Sequence, residues 1–203
     1  MSRFLRRFWQ DSHGGPAAEF ALVVPILILF LLGIVDVGRL MWTWNQAEKA
    51  TQMGVRFAAV TNLIPSDLKT YSYAVSSGVP QGDVVPQSLF GGIKCTSASC
   101  TCENNGGTCP SGTSRDAAAF DALVARIALF KNDVTGTNVE VDYDYSGLGF
   151  SGDPNGPDVA PLITVKLTGL TFAPIVLLGA ATINLPGFSA TLSMEDGDGT
   201  NSD

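Results

Sequence analysis

The sequence predicts an α+β fold: a long N-terminal helix, membrane-spanning and then amphipathic, packed on a small antiparallel sheet with extra helices. Three observations predict it. Residues 20–35, FALVVPILILFLLGIV, are sixteen residues without a charge, a run that suits a bilayer. Residues 39–60 contain no proline and are rich in Ala, Met, Gln, Glu and Lys, all good helix formers, so the helix continues. Further on, Val139, Val141, Tyr143 and Tyr145 alternate with Glu140, Asp142, Asp144 and Ser146, the period of a strand with one face in water. With 45% hydrophobic and 15% charged residues among 203, the chain has material for a core and is not a charge-rich disordered polymer.

The first element, residues 1–14, reads as a basic leader carrying Arg3, Arg6, Arg7 and the single His13. Residues 1–61 hold six basic and four acidic side chains, a net of +2, whereas the remainder holds six basic and fifteen acidic, a net of −9. The acidic remainder excludes nucleic acid as a partner, because phosphate binding needs clustered Lys and Arg. A single histidine leaves little room for His-based catalysis or a multi-His metal site.

Residues 15–61 read as one helix. The charge-free run spans about 24 Å at 1.5 Å per residue, just short of a bilayer core. Extension back through Pro16, Ala17 and Ala18, taking Glu19 along, or forward past Asp36 to Leu40, Met41 and Trp42, supplies the missing length. Trp42 and Trp44 then fall at a water interface, and the arginines ahead of the span place the N-terminus in the cytoplasm. A cleaved secretory signal fits less well, since the nearest loose Ala-x-Ala approximation, Ala47-Glu48-Lys49-Ala50, lies well beyond the run. In the second half, Leu40, Ala47, Ala50, Met53, Gly54, Phe57 and Ala58 share a stripe, while Asn45, Glu48, Lys49, Gln52 and Arg56 mostly face away. Its small residues permit close packing. Asp36 and Arg39, three apart, can pair near the outer membrane face, and Pro25 predicts a kink or local loosening.

Glu19 is the most informative residue, because a carboxylate at the start of a span costs a few kcal/mol without a partner. In Gly14-Gly15-Pro16-Ala17-Ala18-Glu19-Phe20, scission after Gly14 would create an α-amino group at Gly15 with Glu19 fifth in the mature chain. That cationic terminus on one subunit could neutralise Glu19 on another. The competing reading is a snorkelling surface Glu beside a Gly-Gly turn.

Residues 14–56 resemble the TadE-like segment of Tad (tight adherence) pilus assembly proteins. The resemblance rests on GGPAAEF, on ALVVPILILFLLGIV with Pro25, and on Gly33-Ile34-Val35-Asp36-Val37-Gly38-Arg39, followed by Ala-rich sequence around Asn45, Gln46, Ala47, Ala50, Gly54 and Arg56. It covers about a fifth of the chain. The similarity implies a pilin-like layout and a pseudopilin or minor pilin processed by a prepilin peptidase between Gly14 and Gly15. It also implies that Glu19 and Phe20 serve assembly. The implied partners are the lipid bilayer, other pilin or pseudopilin subunits and the Tad machinery. The implied location is the bacterial inner membrane, with the C-terminal domain outside. Pro16 at the second mature position and Asp36, where Glu is frequent, depart from the pattern.

Residues 62–195 read as an extracytoplasmic α+β domain. Cys95, Cys100, Cys102 and Cys109 lie in a polar stretch, CTSASCTCENNGGTC, and an even count outside the cytoplasm predicts two disulfides in one of three pairings. A four-cysteine zinc site is disfavoured by the missing C-x2-C knuckles. Ser114-Arg115-Asp116 starts a helix with Phe120, Leu123, Val124, Ile127 and Phe130 on one face, ending near Asn132. Strands are expected at 162–171 and 181–194, with FAPIVLLGA between them as a packed turn of helix. Residues 196–203 read as a disordered acidic tail, since Asn201 replaces the turn glycine of a calcium loop.

Residues 147–152, GLGFSG, match G-x-G-x-x-G, but Asp153-Pro154-Asn155-Gly156-Pro157 follows and cannot open the helix a nucleotide site needs. Asp142, Asp144, Asp153 and Asp158 could gather round a calcium ion, although alternating strand acids ordinarily face solvent. No G-x-S-x-G is present, so no enzyme, cofactor or resident metal is expected. The expectation is a structural pilus-assembly protein. The alternative is an uncleaved membrane-anchored envelope protein whose acidic domain binds a partner or cation.

Overall fold

The computed structural model describes residues 15–175, 181–195, 197 and 199. Helix α1 (Gly15–Val60) is 46 residues long and continuous through Pro25, so the expected loosening there does not interrupt it. The chain forms two units. The first comprises the chain through Trp42 together with Phe172–Ile183; the second comprises Thr43–Thr171 and the chain from Asn184 onward.

In the first unit α1 presents its apolar side chains outward: Phe20 is 70% exposed, Ile26 66% and Phe30 66%. A helix apolar all round and unburied needs a non-aqueous surrounding.

The second unit is a five-stranded antiparallel sheet with helices. Its strands are β1 (Ile93–Cys95), β2 (Cys100–Cys102), β3 (Val139–Asp144), β4 (Leu162–Leu167) and β7 (Phe188–Ser193), in the order β2-β1-β3-β4-β7. A separate two-stranded ribbon pairs β5 (Thr171–Phe172) with β6 (Ile183–Asn184). Short helices α2 (Ser66–Thr70) and α3 (Tyr73–Ser76) follow α1. Helix α4 (Ala117–Ala128) is capped by Asp116, whose Oδ1 accepts the Ala119 N–H at 3.0 Å. It ends four residues before the predicted stop, where Phe130 and Lys131 both turn back onto the Ile127 carbonyl.

The core forms where the amphipathic half of α1 meets α4 and the sheet. Ala47, Ala50, Phe57 and Ala58 are buried as the stripe predicts, Leu40 and Met53 only half-buried, and Thr51, Val55 and Ala59 join the core. Thr51 can be buried because its hydroxyl donates to the Ala47 carbonyl at 2.8 Å. At Gly54 a Cβ would lie 2.8 Å from Ile127 Cγ1 and 3.5 Å from Val165 Cγ1, so glycine lets the helix seat closely against α4 and β4. Val139, Val141 and Tyr143 alternate inward on β3, as do Ile163, Val165 and Leu167 on β4. The Tyr143 hydroxyl accepts the Ile64 N–H at 3.2 Å, satisfying two polar groups inside the core.

Two expectations change. Each of the two long C-terminal strands divides in two. Gly169, at φ +68°, ends the β4 direction, and Pro186, lacking an N–H, separates β6 from β7. The cysteine-bearing stretch is not loop alone, because β1 and β2 pair with Cys95 opposite Cys100 at the sheet edge. Trp44 is only partly exposed: its ring lies edge-on to Phe188 at 5.2 Å and its Nε1–H donates to Glu48 at 2.7 Å. Trp42, by contrast, is 68% exposed.

Candidate functional site

Of the residues assigned to processing and assembly, Gly14 lies outside the described residues, as does the rest of the leader, including His13. Gly15 opens the described helix and is exposed; Glu19 and Phe20 are exposed too. The Glu19 carboxylate makes no ion pair among the described residues. Its charge therefore stands at one end of a long apolar surface without a partner from its own described chain.

At the other end of that surface, Asp36 and Arg39 are brought together, and a third party joins them. Arg39 Nη1 lies 3.3 Å from Asp36 Oδ1. The same carboxylate oxygen accepts the backbone N–H of Ile175 at 2.9 Å, and the Asp36 side chain is only 2% exposed. Arg39 also reaches the Ala173 carbonyl at 3.5 Å and lies over the Phe172 ring at 5.4 Å. A helix charge pair thus doubles as the anchor for a segment some 136 residues later, and burying the carboxylate is tolerable because both a cation and an N–H face it. No spacing rule in the sequence links Asp36 to Ile175. The one available signal was the apolarity of FAPIVLLGA, of which residues 176–180 lie outside the described residues.

The four cysteines form two disulfides, Cys95–Cys100 and Cys102–Cys109, with none left free among the described residues. Both close short loops. The first joins directly opposed positions of the β1–β2 hairpin.

The candidate calcium carboxylates do not converge. Asp142, expected to face water, is buried because register places Lys94 of β1 opposite it, and the β4 Lys166 also reaches the same face. Lys166 ion-pairs directly with Asp142, while Lys94 reaches Glu103 and Glu140, each at 3.1 Å. Burial raises the Asp142 carboxyl pKa despite these lysines. Hydrogen bonds from Lys94 to Glu103 and Glu140 raise the Lys94 ammonium, and the Asp142 carboxylate raises Lys166. Asp158 pins loops instead, accepting the Tyr73 N–H at 2.6 Å and the Asp153 N–H at 3.2 Å. Among the described residues no three His, Cys, Asp or Glu side chains group as metal ligands.

The G-x-G-x-x-G stretch is likewise a packing device. A Cβ on Gly149, at φ +91°, would stand 2.7 Å from the Asp158 carbonyl oxygen, so glycine allows two loop segments to touch.

One α1 helix, exposed and apolar first and buried against an α+β unit afterwards, has the architecture of a single-pass membrane protein with a pilin-like layout. The family described as TadE-like protein matches residues 14–56, so this segment of the chain is similar to that family. No curated protein and no solved structure matches the chain.

Proposed function

We propose that this protein is a TadE-like pseudopilin or minor pilin that takes part in assembling a Tad-type pilus for surface adherence, in a structural rather than a catalytic role. The observation that carries the reading is the family match over residues 14–56, which takes in both the Gly14–Glu19 junction and the charge pair Asp36–Arg39. In this reading the arginines of the leader hold the N-terminus in the cytoplasm, and the disulfide-bearing domain lies outside the inner membrane. A prepilin peptidase cuts between Gly14 and Gly15. The new ammonium group at Gly15 of one subunit then pairs with Glu19 of a neighbour, which offsets the few kcal/mol that an unpaired carboxylate costs at the membrane edge. Phe20 and the apolar surface beyond it supply the lateral contact between subunits. Two features support this reading: Glu19 has no ion-pair partner among the described residues, and the helix beside it is unburied.

Mass spectrometry of the mature N-terminus, in cells with an active prepilin peptidase, tests the proposal. A chain beginning at Gly15, and lost when Gly14 is changed, is the expected outcome. An intact leader would sink the pilin route and favour an uncleaved envelope protein.

A further inference from the structure

The segment anchored by Asp36 carries chemistry of its own. Residues 172–180, FAPIVLLGA, contain no charged or hydrogen-bonding side chain. Within the described part the residues alternate: Phe172 and Pro174 are buried, whereas Ala173 and Ile175 are exposed, Ile175 by 68%. An isoleucine held outward on a backbone tied down at two points is not a loose loop tip. The Ile175 N–H is fixed to Asp36 Oδ1 at 2.9 Å and the Ala173 carbonyl lies 3.5 Å from Arg39 Nη1.

The position of that anchor along the helix decides what Ile175 meets. Asp36 directly follows the charge-free run that ends at Val35, where Ile34, Val35 and Val37 are all more than half exposed. Measured from Glu19, Asp36 lies about 25 Å along the axis, inside the roughly 30 Å that a hydrocarbon core occupies. Measured from Gly15, it lies about 31 Å along, at the core's edge. In either registration the Ile175 backbone is at membrane depth or at its boundary. A carboxylate there needs partners within the protein, and the Ile175 N–H is one. Exposed Trp42, about 9 Å further out along the helix, suits the headgroup level.

We propose that residues 173–175, directly after β5, are a second membrane-contacting element, seating Ile175 in the outer leaflet beside α1, with Asp36 as the positioning residue that holds it there. The occupant of this exposed apolar face is lipid, because the backbone that carries it is bonded to Asp36, the residue directly after the charge-free run. The proposal rests on the reading of residues 20–35 as a membrane span, and its test separates the two.

The four native cysteines are paired, so a single added thiol can carry a nitroxide in the full chain. The chain is reconstituted one copy per phospholipid nanodisc, with labels in Ile175→Cys, Ala173→Cys, Leu27→Cys and Val75→Cys. Collision rates with oxygen, which partitions into lipid, and with a water-soluble nickel chelate are compared. The ratio favouring oxygen should be several-fold higher at 175 and 173 than at Val75, which is 86% exposed in the second unit, and should approach that at Leu27. Asp36→Ala should lose much of that advantage at 175; an unchanged ratio overturns the positioning role. A nickel-dominated label at both 175 and 173 with Leu27 in lipid overturns the proposal and leaves the span standing. Shielding from both colliders at 175 and 173 also overturns it, indicating a protein contact instead. A nickel-dominated Leu27 overturns the span reading and the inference together. Ala173→Cys is the milder replacement and keeps the question open to refutation if Ile175→Cys fails to fold.

Discussion

The two halves of α1 are one helix with two kinds of surface. Up to Trp42 the large side chains stand outward: Leu22, Ile26, Phe30 and Val35 are all more than half exposed. Beyond it most inward positions are small, Ala47, Ala50, Gly54, Ala58 and Ala59, and these are buried together with Val55 and Phe57. The difference follows from what each half packs against. Lipid tails conform to any apolar shape, so large branched residues lose nothing there. A sheet and a second helix are packed at close density, so the helix approaches them most closely where its own side chains are small, as at Gly54. Large apolar side chains are exposed in the first half, whereas the half that packs on protein places small residues at most of its inward positions.

The largest test of this contrast removes volume from each half. Ile127→Ala, at a fully buried position against Gly54, should lower the stability of the second unit by about 2–5 kcal/mol. Leu27→Ala in the exposed half should leave it unchanged within about 0.5 kcal/mol. Denaturant unfolding of the full chain in detergent, followed by near-UV circular dichroism, measures both. Equal losses would break the distinction.

Next in size is the reverse change. Gly54→Leu should cost about 1–3 kcal/mol in the same measurement, because a side chain there must push Ile127 aside. Gly38→Leu, where a Cβ meets nothing within 4 Å, should cost nothing measurable. The disulfides come third. Each closes a short loop, so replacing Cys95 and Cys100 together by Ser should remove about 2 kcal/mol. The loss should be confined to the second unit, with the helical signal of α1 retained.

The smallest effect is the response to alkali. Lys94 and Lys166 hold their protons more tightly in the folded state because carboxylates face them, and burial pushes the Tyr73 hydroxyl up to about 12 and raises Tyr143 as well. Above pH about 10 the unfolded chain releases these protons first, so stability falls as pH rises further. The unfolding midpoint should be level between pH 7 and 9 and decline beyond 10. Residues 20–35 contain no titratable group, so the apolar half should not respond. A midpoint level to pH 12 would mean that the lysine and tyrosine environments are not as described.

Much of this was legible in the residues because the physics behind it is local. A charge-free run of sixteen residues, the 3.6-residue stripe of small side chains and the two-residue alternation on β3 each follow from chain geometry alone. So did the candidate pair Asp36–Arg39, one turn apart, and the presence of disulfides. Where reading failed, a partner distant in sequence intervened. Asp142 was expected to face solvent, yet lysines from two neighbouring strands cover it, and nothing near residue 142 announces Lys94. Nor does anything near residue 44 announce that Trp44 packs on Phe188, contributed by the last strand of the sheet.

By itself, the sequence determined that this protein has an apolar helix long enough to cross a bilayer, a resemblance to the TadE-like family around it and an acidic α+β remainder. Periodicity, charge and motif spacing are properties of neighbours along the chain. Only the tertiary structure decided the disulfide pairing, the sheet order β2-β1-β3-β4-β7, and the docking of Ile175 on Asp36. Each of these depends on which distant backbone groups and side chains meet. Loop closure leaves many such meetings nearly equal in entropy, and it takes the packing of the whole core to choose among them.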